Sequence, residues 1–209
     1  MGTNLWSSSE HALEYLSRAD SIPHRVEGEA ELLGFLPQTI GRLLDLGTGN
    51  GRLLALARQR HPSAEAVGLD FSAAMLAASR QRFAANPAIT IVEHNLDLPL
   101  PALGRFDAVI SSFAIHHLVH ERKRALYAEI FALLPKGGVF CNLEHVSAPT
   151  PRLHEEFLRE MGITPESEDP SNKLLDLETQ LGWLREIGFT DVDCLWKWRE
   201  LALMAGRVP

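Results

Sequence analysis

Two residue pairs in this chain have the chemistry of proton carriers. His116-His117 closes the run Ser111-Ser112-Phe113-Ala114-Ile115-His116-His117-Leu118, and Glu144-His145 ends a second apolar run. Imidazole titrates near neutral pH, so a histidine at a strand's carboxyl end can act as general base toward a nucleophile that arrives protonated. His116 and His145 are the first candidates for that task, followed by Glu144 and His117. The plainer readings are that one histidine of the first pair only packs, and that Glu144 and His145 cap the following loop. With Asp97, these four residues include donor types that divalent metals accept, but their spacing matches no ligand signature and no metal is expected.

A second set of residues describes a ligand. Leu43-Leu44-Asp45-Leu46 runs into Gly47-Thr48-Gly49-Asn50-Gly51 and leaves through the amphipathic Leu53-Leu54-Ala55-Leu56-Ala57, which reads as strand, tight turn and helix. Without a Cβ, glycine takes positive φ and lets a ligand lie against the backbone. A dinucleotide turn would read G-x-G-x-x-G with its third glycine at position 52, where this chain has Arg52, so a nicotinamide oxidoreductase is disfavoured. Asp45 opposes a pyrophosphate and suits a cation, and S-adenosylmethionine carries an ammonium and a sulfonium. Ala64 to Asp70 reads as a second buried strand, ending in a carboxylate able to accept from both ribose hydroxyls of an adenosine ligand.

With these residues in place, the chain resembles the class I S-adenosylmethionine-dependent methyltransferases. Leu43 to Gly51 is similar to that family's first motif, Gly68-Leu69-Asp70-Phe71-Ser72 to its second and Phe106-Asp107-Ala108-Val109-Ile110-Ser111-Ser112 to its fourth. Leu134-Pro135-Lys136-Gly137-Gly138-Val139-Phe140 is similar to the approach to its fifth core strand, and the likeness runs from about residue 40 to 145. The resemblance implies an α/β fold: a doubly wound, Rossmann-like sheet, mostly parallel, with a C-terminal antiparallel strand and a helical N-terminal cap. It implies S-adenosyl-L-methionine as cofactor and a small-molecule acceptor methylated on oxygen, nitrogen or carbon. The cofactor residues it points to are Asp45, Gly47, Gly49, Gly51, Asp70, Phe71, Met75, Asn95, Leu96, Asp97 and Ser111. Where many relatives carry an acidic residue after the third strand, this chain has Asn95-Leu96-Asp97, so either Asn95 or Asp97 meets the adenine amino group. A His-His pair after the fourth motif occurs in many members of the ubiquinone-biosynthesis-like group. Two alternatives keep the cofactor: formation of a carboxylated S-adenosylmethionine derivative, favoured by arginines poised for an extra carboxylate, and a non-catalytic S-adenosylmethionine-binding partner in a complex.

The elements that must position these residues follow from periodicity. Residues 1–37 read as a cap of two helices, the first with a Ser7/Glu10 capping box and the stripe Ala12, Leu13 and Leu16, the second with Leu32, Leu33 and Leu36 before Pro37. Strands are expected near 42–46, 64–70, 88–93, 106–112 and 137–145, with helices near 51–60, 72–85 and 121–134 between them. Residues 38–146 make the cofactor-binding core, and 177–209 a helix ending at Gly188 followed by two closing strands. Residues 147–176, with an amphipathic piece at 153–158, read as a lid above the strands' carboxyl ends, where open α/β sheets bind ligands. Trp6, Tyr15, Arg18 and Arg25 could close over the cofactor and meet an anionic or aromatic substrate, whereas Trp196 and Trp198 read as packing.

At 209 residues the chain fits one methyltransferase domain. The net charge is −7 and the only basic run, Arg122-Lys123-Arg124, reads as a solvated face, which disfavours a nucleic-acid partner. Cys141 and Cys194 fall in separate strands expected to be buried, no apolar run reaches membrane-spanning length, and the amino terminus lacks a basic region followed by an apolar core. A reducing cytoplasm is therefore expected. The oligomeric state stays open, with a homodimer among the arrangements allowed.

Overall fold

The computed structural model describes residues 22–209. The expected first helix, with Ser7, Glu10, Trp6, Tyr15 and Arg18, lies outside the described residues. Helix α1 (Arg25–Phe35) leads into β1 (Arg42–Leu46), α2 (Arg52–Arg60), β2 (Glu65–Asp70), α3 (Ala73–Arg82), β3 (Ile89–Glu93) and β4 (Ala108–Ser112). A 3₁₀ turn (Ile115–His117) precedes α4 (His120–Leu133) and β5 (Val139–His145). Helix α5 (Pro151–Met161), a second 3₁₀ turn (Pro165–Ser167), α6 (Leu177–Ile187), β6 (Thr190–Trp198) and β7 (Leu201–Arg207) follow.

The seven strands form one sheet in the order β3-β2-β1-β4-β5-β7-β6. Strands β1 to β5 are parallel; β7 runs antiparallel to β5 and β6 antiparallel to β7. This is the expected doubly wound sheet. Near-continuous apolar runs such as Leu43-Leu44 and Val109-Ile110 form its centre because both faces are covered. On one face Leu32 and Leu36 of the α1 region and Leu53, Leu54 and Ala57 of α2 pack with Ile110 and Cys141. On the other, Leu126, Tyr127 and Ile130 of α4 and Leu181 and Leu184 of α6 pack with Leu44, Val109 and Phe140. Asp107 fixes the start of the central pair, its Oδ2 accepting the backbone N–H groups of Gly41 at 2.7 Å and Arg42 at 2.9 Å.

Two sequence readings are corrected here. Arg122-Lys123-Arg124 is not a solvated face: the helical period puts Lys123 on the stripe of Leu126, Tyr127 and Ile130, and its ammonium donates to the Lys173 carbonyl from a 1% exposed position. Arg122 pairs with Glu129 and donates to the Leu96 and Leu98 carbonyls at 2.7 and 2.8 Å, leaving Arg124 exposed in a pair with Glu186. Cys141 is buried but Cys194 only half-buried, because β6 is an edge strand. Trp196 packs beneath α1, and Trp198 stacks with His24 at 4.6 Å.

Gly51 opens α2 in the left-handed region at φ +79°, and a Cβ there would lie 2.4 Å from the Phe83 ring. Gly51→Ala is expected to cost about 1–3 kcal/mol of stability from strain and overpacking, read as a lowered urea midpoint.

Candidate active site

The sheet order reverses between β1 and β4, and a cavity of about 380 Å³ lies at the carboxyl ends of these strands and of β2. That is where open α/β sheets place ligands, and the volume is within the usual range of roughly 300–1,000 Å³ for small-molecule sites. The turn after β1 is shaped by its own backbone: Thr48 N–H donates to the Leu69 carbonyl at 2.8 Å, and Gly51 N–H to the Thr48 carbonyl at 2.9 Å. At Gly49, φ is +56° and an added Cβ would find nothing nearer than Met75 Sδ at 3.9 Å, so the bare backbone faces open space in which a ligand can lie.

Asp45, Asp70 and Asp97 bring carboxyl groups to this cavity, the first two beside the glycine turn. Asp70 Oδ2 accepts Gly49 N–H at 2.8 Å and Oδ1 accepts Ser72 N–H at 2.9 Å, which fixes the plane of the carboxylate. Burial raises the Asp70 pKa against the pull of those backbone donors. Asp45 is 1% exposed, and the Thr48 hydroxyl donates to its Oδ2 at 2.6 Å. Burial above all pushes its pKa up to about 7; the Thr48 hydrogen bond opposes this, Asp70 adds to it, and Arg25 opposes it. A buried carboxyl beside a bare glycine turn is a site for a cation, and Met75, Leu96 and Phe71 supply an apolar bed close by. These features fit the ammonium, ribose and adenine of S-adenosylmethionine.

Asp45, Gly47, Gly49, Asp70, Phe71, Met75, Asn95, Leu96 and Asp97 all line the cavity. Asn95 Oδ1 accepts Asp97 N–H at 3.0 Å, so the two candidates for the adenine edge share one turn. Gly51 and Ser111 are not among the lining residues. Gly51 packs on Phe83, and the Ser111 hydroxyl donates to the Leu46 carbonyl at 2.8 Å, tying β4 to β1 while Ser112 meets the cavity.

Of the four proton-carrier candidates, only His117 lines the cavity. Its Nδ1 lies 2.9 Å from Ser171 Oγ, and its ring stacks on His116 with centroids 4.0 Å apart. Burial, then His116, lowers the His117 pKa to about 3, so the ring is neutral near pH 7. Behind it, His116 Nδ1 lies 2.5 Å from Glu144 Oε1. Burial drives the His116 pKa well down and the Glu144 pKa up. His145 belongs to another cluster: its Nε2 lies 3.1 Å from Glu200 Oε2, Glu200 Oε1 lies 3.0 Å from His154 Nδ1, and His154 Nε2 lies 3.2 Å from Glu168 Oε2. That cluster seats α5 on the turn between β6 and β7. Among the described residues no group of three or more His, Cys, Asp or Glu side chains has metal-binding geometry.

The sequence reading missed an arginine pair around one acid. Glu29 is buried between Arg25, whose Nε lies at 2.8 Å, and Arg52, whose Nη2 lies at 3.0 Å, and both arginines line the cavity. Their i, i+4 spacing within α1 was a visible signal for Arg25 and Glu29, whereas Arg52 registered only as a missing glycine. Phe113, at φ +54°, lies under Arg25 with the guanidinium 5.4 Å from its ring centre.

Residues 43–138 match the family described as Methyltransferase domain. Over 110 residues the chain is 37% identical to a demethylmenaquinone methyltransferase of Thermus thermophilus, covering 52% of this chain and 49% of that protein. It is 33% identical to the ubiquinone/menaquinone biosynthesis C-methyltransferase UbiE of Dinoroseobacter shibae, covering 64% of this chain and 54% of that protein. The chain thus spans about half the length of these curated relatives. Human N-acetylserotonin methyltransferase in complex with S-adenosylmethionine shares the fold, with a TM-score of 0.70, 18% identity, and 98% of this chain and 57% of that one aligned. The chain carries a class I S-adenosylmethionine-dependent methyltransferase domain, similar in sequence to the ubiquinone-biosynthesis-like group, and S-adenosylmethionine is the cofactor of that class. No helix among the described residues is long and apolar enough to cross a membrane.

The raised Asp45 pKa sets a pH dependence with a definite sign. Without ligand, the folded state holds this proton up to about pH 7, so the stability it contributes is present below the unfolded pKa and lost as pH rises through 7. A cation beside Asp45 favours the carboxylate, so S-adenosylmethionine affinity should rise about tenfold from pH 6 to pH 8. Isothermal titration at both pH values checks this, and Asp45→Asn should bind more weakly with a flat pH profile.

Proposed function

We propose that this chain transfers a methyl group from S-adenosylmethionine to a carbon of a small quinol-type acceptor. The observation carrying this reading is one cavity lined both by Asp45, Gly49 and Asp70 and by Phe113 and His117. The names of the curated relatives, a demethylmenaquinone methyltransferase and a ubiquinone/menaquinone biosynthesis C-methyltransferase, support the acceptor class and the atom. When bound, S-adenosylmethionine supplies an electrophilic methyl on a sulfonium, and positioning accounts for much of the catalysis.

The chain's own residues then divide the work. Asp45 holds the ammonium, Asp70 the ribose hydroxyls, and Asn95 or Asp97 the adenine edge, with Met75 and Leu96 against the base. The acceptor ring lies against Phe113. As the acceptor carbon takes the methyl its hydroxyl becomes strongly acidic, and His117, a weak base at a pKa of about 3, takes the proton that leaves. His116 and Glu144 buttress that imidazole from behind, and His145 acts through Glu200 on the seating of α5. Residues 147–176 form the lid of a single methyltransferase domain. The carboxylated-cofactor alternative gains little, because Arg25 and Arg52 both pair with Glu29.

Asp70→Ala should weaken S-adenosylmethionine binding about ten- to a hundredfold, measured by titration calorimetry on folded protein. With a short-chain demethylmenaquinol as acceptor and labelled S-adenosylmethionine, His117→Ala should lower kcat about a hundredfold or more while cofactor affinity holds. Full turnover in that variant would leave positioning alone as the mechanism.

A further inference from the structure

The segment between α5 and α6 is fastened to the back of the 3₁₀ turn that carries the histidine pair. Lys173 N–H donates to the His116 carbonyl at 2.8 Å, and the Lys123 ammonium returns a hydrogen bond to the Lys173 carbonyl. His120 Nε2 lies 3.2 Å from the Leu174 carbonyl, and Ser147 N–H donates to the Leu175 carbonyl at 3.1 Å. Asp169 shapes the approach, its Oδ1 accepting Ser171 N–H at 2.8 Å and its carbonyl accepting Asn172 N–H at 3.2 Å. The result is a half-buried serine whose Oγ stands 2.9 Å from His117 Nδ1.

We propose that Ser171 is a positioning residue whose hydroxyl accepts the Nδ1–H of His117 and thereby selects the tautomer with its proton-accepting lone pair on Nε2. This rests on the reading of His117 as the base. A neutral imidazole in water favours the opposite tautomer, with the proton on Nε2, and in that form Nε2 only donates. A partner on one ring nitrogen decides what the other can do. The groups facing His117 are His116 on its own turn, Glu144 from β5, and Asp169 and the Ser171 backbone from the segment, with Lys123 of α4 acting on Glu144. Burial and His116 keep the ring neutral, so the variable left for the protein to set is the tautomer and not the charge. A serine hydroxyl suits this role because it accepts a hydrogen bond without adding a charge to an already desolvated site.

The test is a long-range ¹H–¹⁵N correlation spectrum of ¹⁵N-histidine-labelled protein at pH 7, with the His117 signals assigned by their loss in His117→Gln. The expected result is the Nδ1–H tautomer in the wild type, its conversion to Nε2–H in Ser171→Ala, and its retention in Ser171→Thr. In the demethylmenaquinol assay kcat should fall about tenfold in Ser171→Ala and recover in Ser171→Thr, with the S-adenosylmethionine KM unchanged in both. A tautomer indifferent to Ser171→Ala would overturn the proposal while leaving the base assignment standing, and an Nε2–H wild type would overturn both. Full turnover in His117→Gln would overturn the base assignment itself, whatever the tautomer.

Discussion

The reversal of strand order between β1 and β4 is the constraint on which the rest of this site depends. At that seam the chain leaves β1 toward β2 and leaves β4 toward β5, so the two outgoing segments part and open a crevice. The seam has to be held tightly below the crevice for it to keep its shape above. Asp107 does so at one end by gathering the Gly41 and Arg42 N–H groups, and Ser111 at the other by donating to the Leu46 carbonyl. Both are polar contacts at or inside a closely packed sheet, where an unpaired partner would carry the full desolvation penalty. They therefore fix the register of β4 on β1 as well as add to its stability.

With the seam fixed, the two outgoing segments meet over it. The β1 segment brings a bare backbone and a buried carboxyl, and the β4 segment brings Phe113 and the histidine turn. Asp70 joins them from β2 by accepting Gly49 N–H, so the carboxylate and the glycine turn are one unit. A ligand binding here meets groups whose orientation is already set by backbone hydrogen bonds, which lowers the ordering cost of binding.

The architecture was legible in the sequence because its signals are local and repeated. Apolar runs such as Leu43-Leu44 and Val109-Ile110, alternating with helical stripes such as Leu53, Leu54 and Ala57, dictate a parallel sheet covered on both faces, and the observed strands start and end within a few residues of expectation. The placement of side chains at the ends of those strands was less legible. Adjacent residues in a strand point to opposite faces, so Ser111 turns to β1 and Ser112 to the cavity, a distinction that motif matching does not make. The histidine pair shows the same limit. A 3₁₀ turn follows β4, and its rise and rotation, not the residue types, put His117 on the cavity and His116 behind it. Ser171 was not legible at all, since its partner lies 54 positions away, and Glu29 was legible only toward Arg25, its second partner Arg52 lying 23 positions away.

Behind the histidine turn lies a polar cluster that a sheet protein of this size would be more stable without. Lys123 and Glu144 are both buried, and isolated charges there would be costly. The cluster lowers that cost by moving toward neutrality: burial brings the Lys123 pKa down to about 8 and raises that of Glu144, so each approaches its uncharged form. Each polar contact is also structural. The Lys123 ammonium donates to the Lys173 carbonyl, Glu144 Oε1 accepts His145 N–H at 2.9 Å, and Tyr127 donates to Gln180 at 2.7 Å, which links α4, β5, α6 and the segment before α6. An apolar core of equal volume would pack α4 against the sheet as well but would give the segment carrying Ser171 no anchor. Polar burial at this point trades stability for a defined position of one loop, and that loop touches the only histidine of the pair that reaches the cavity.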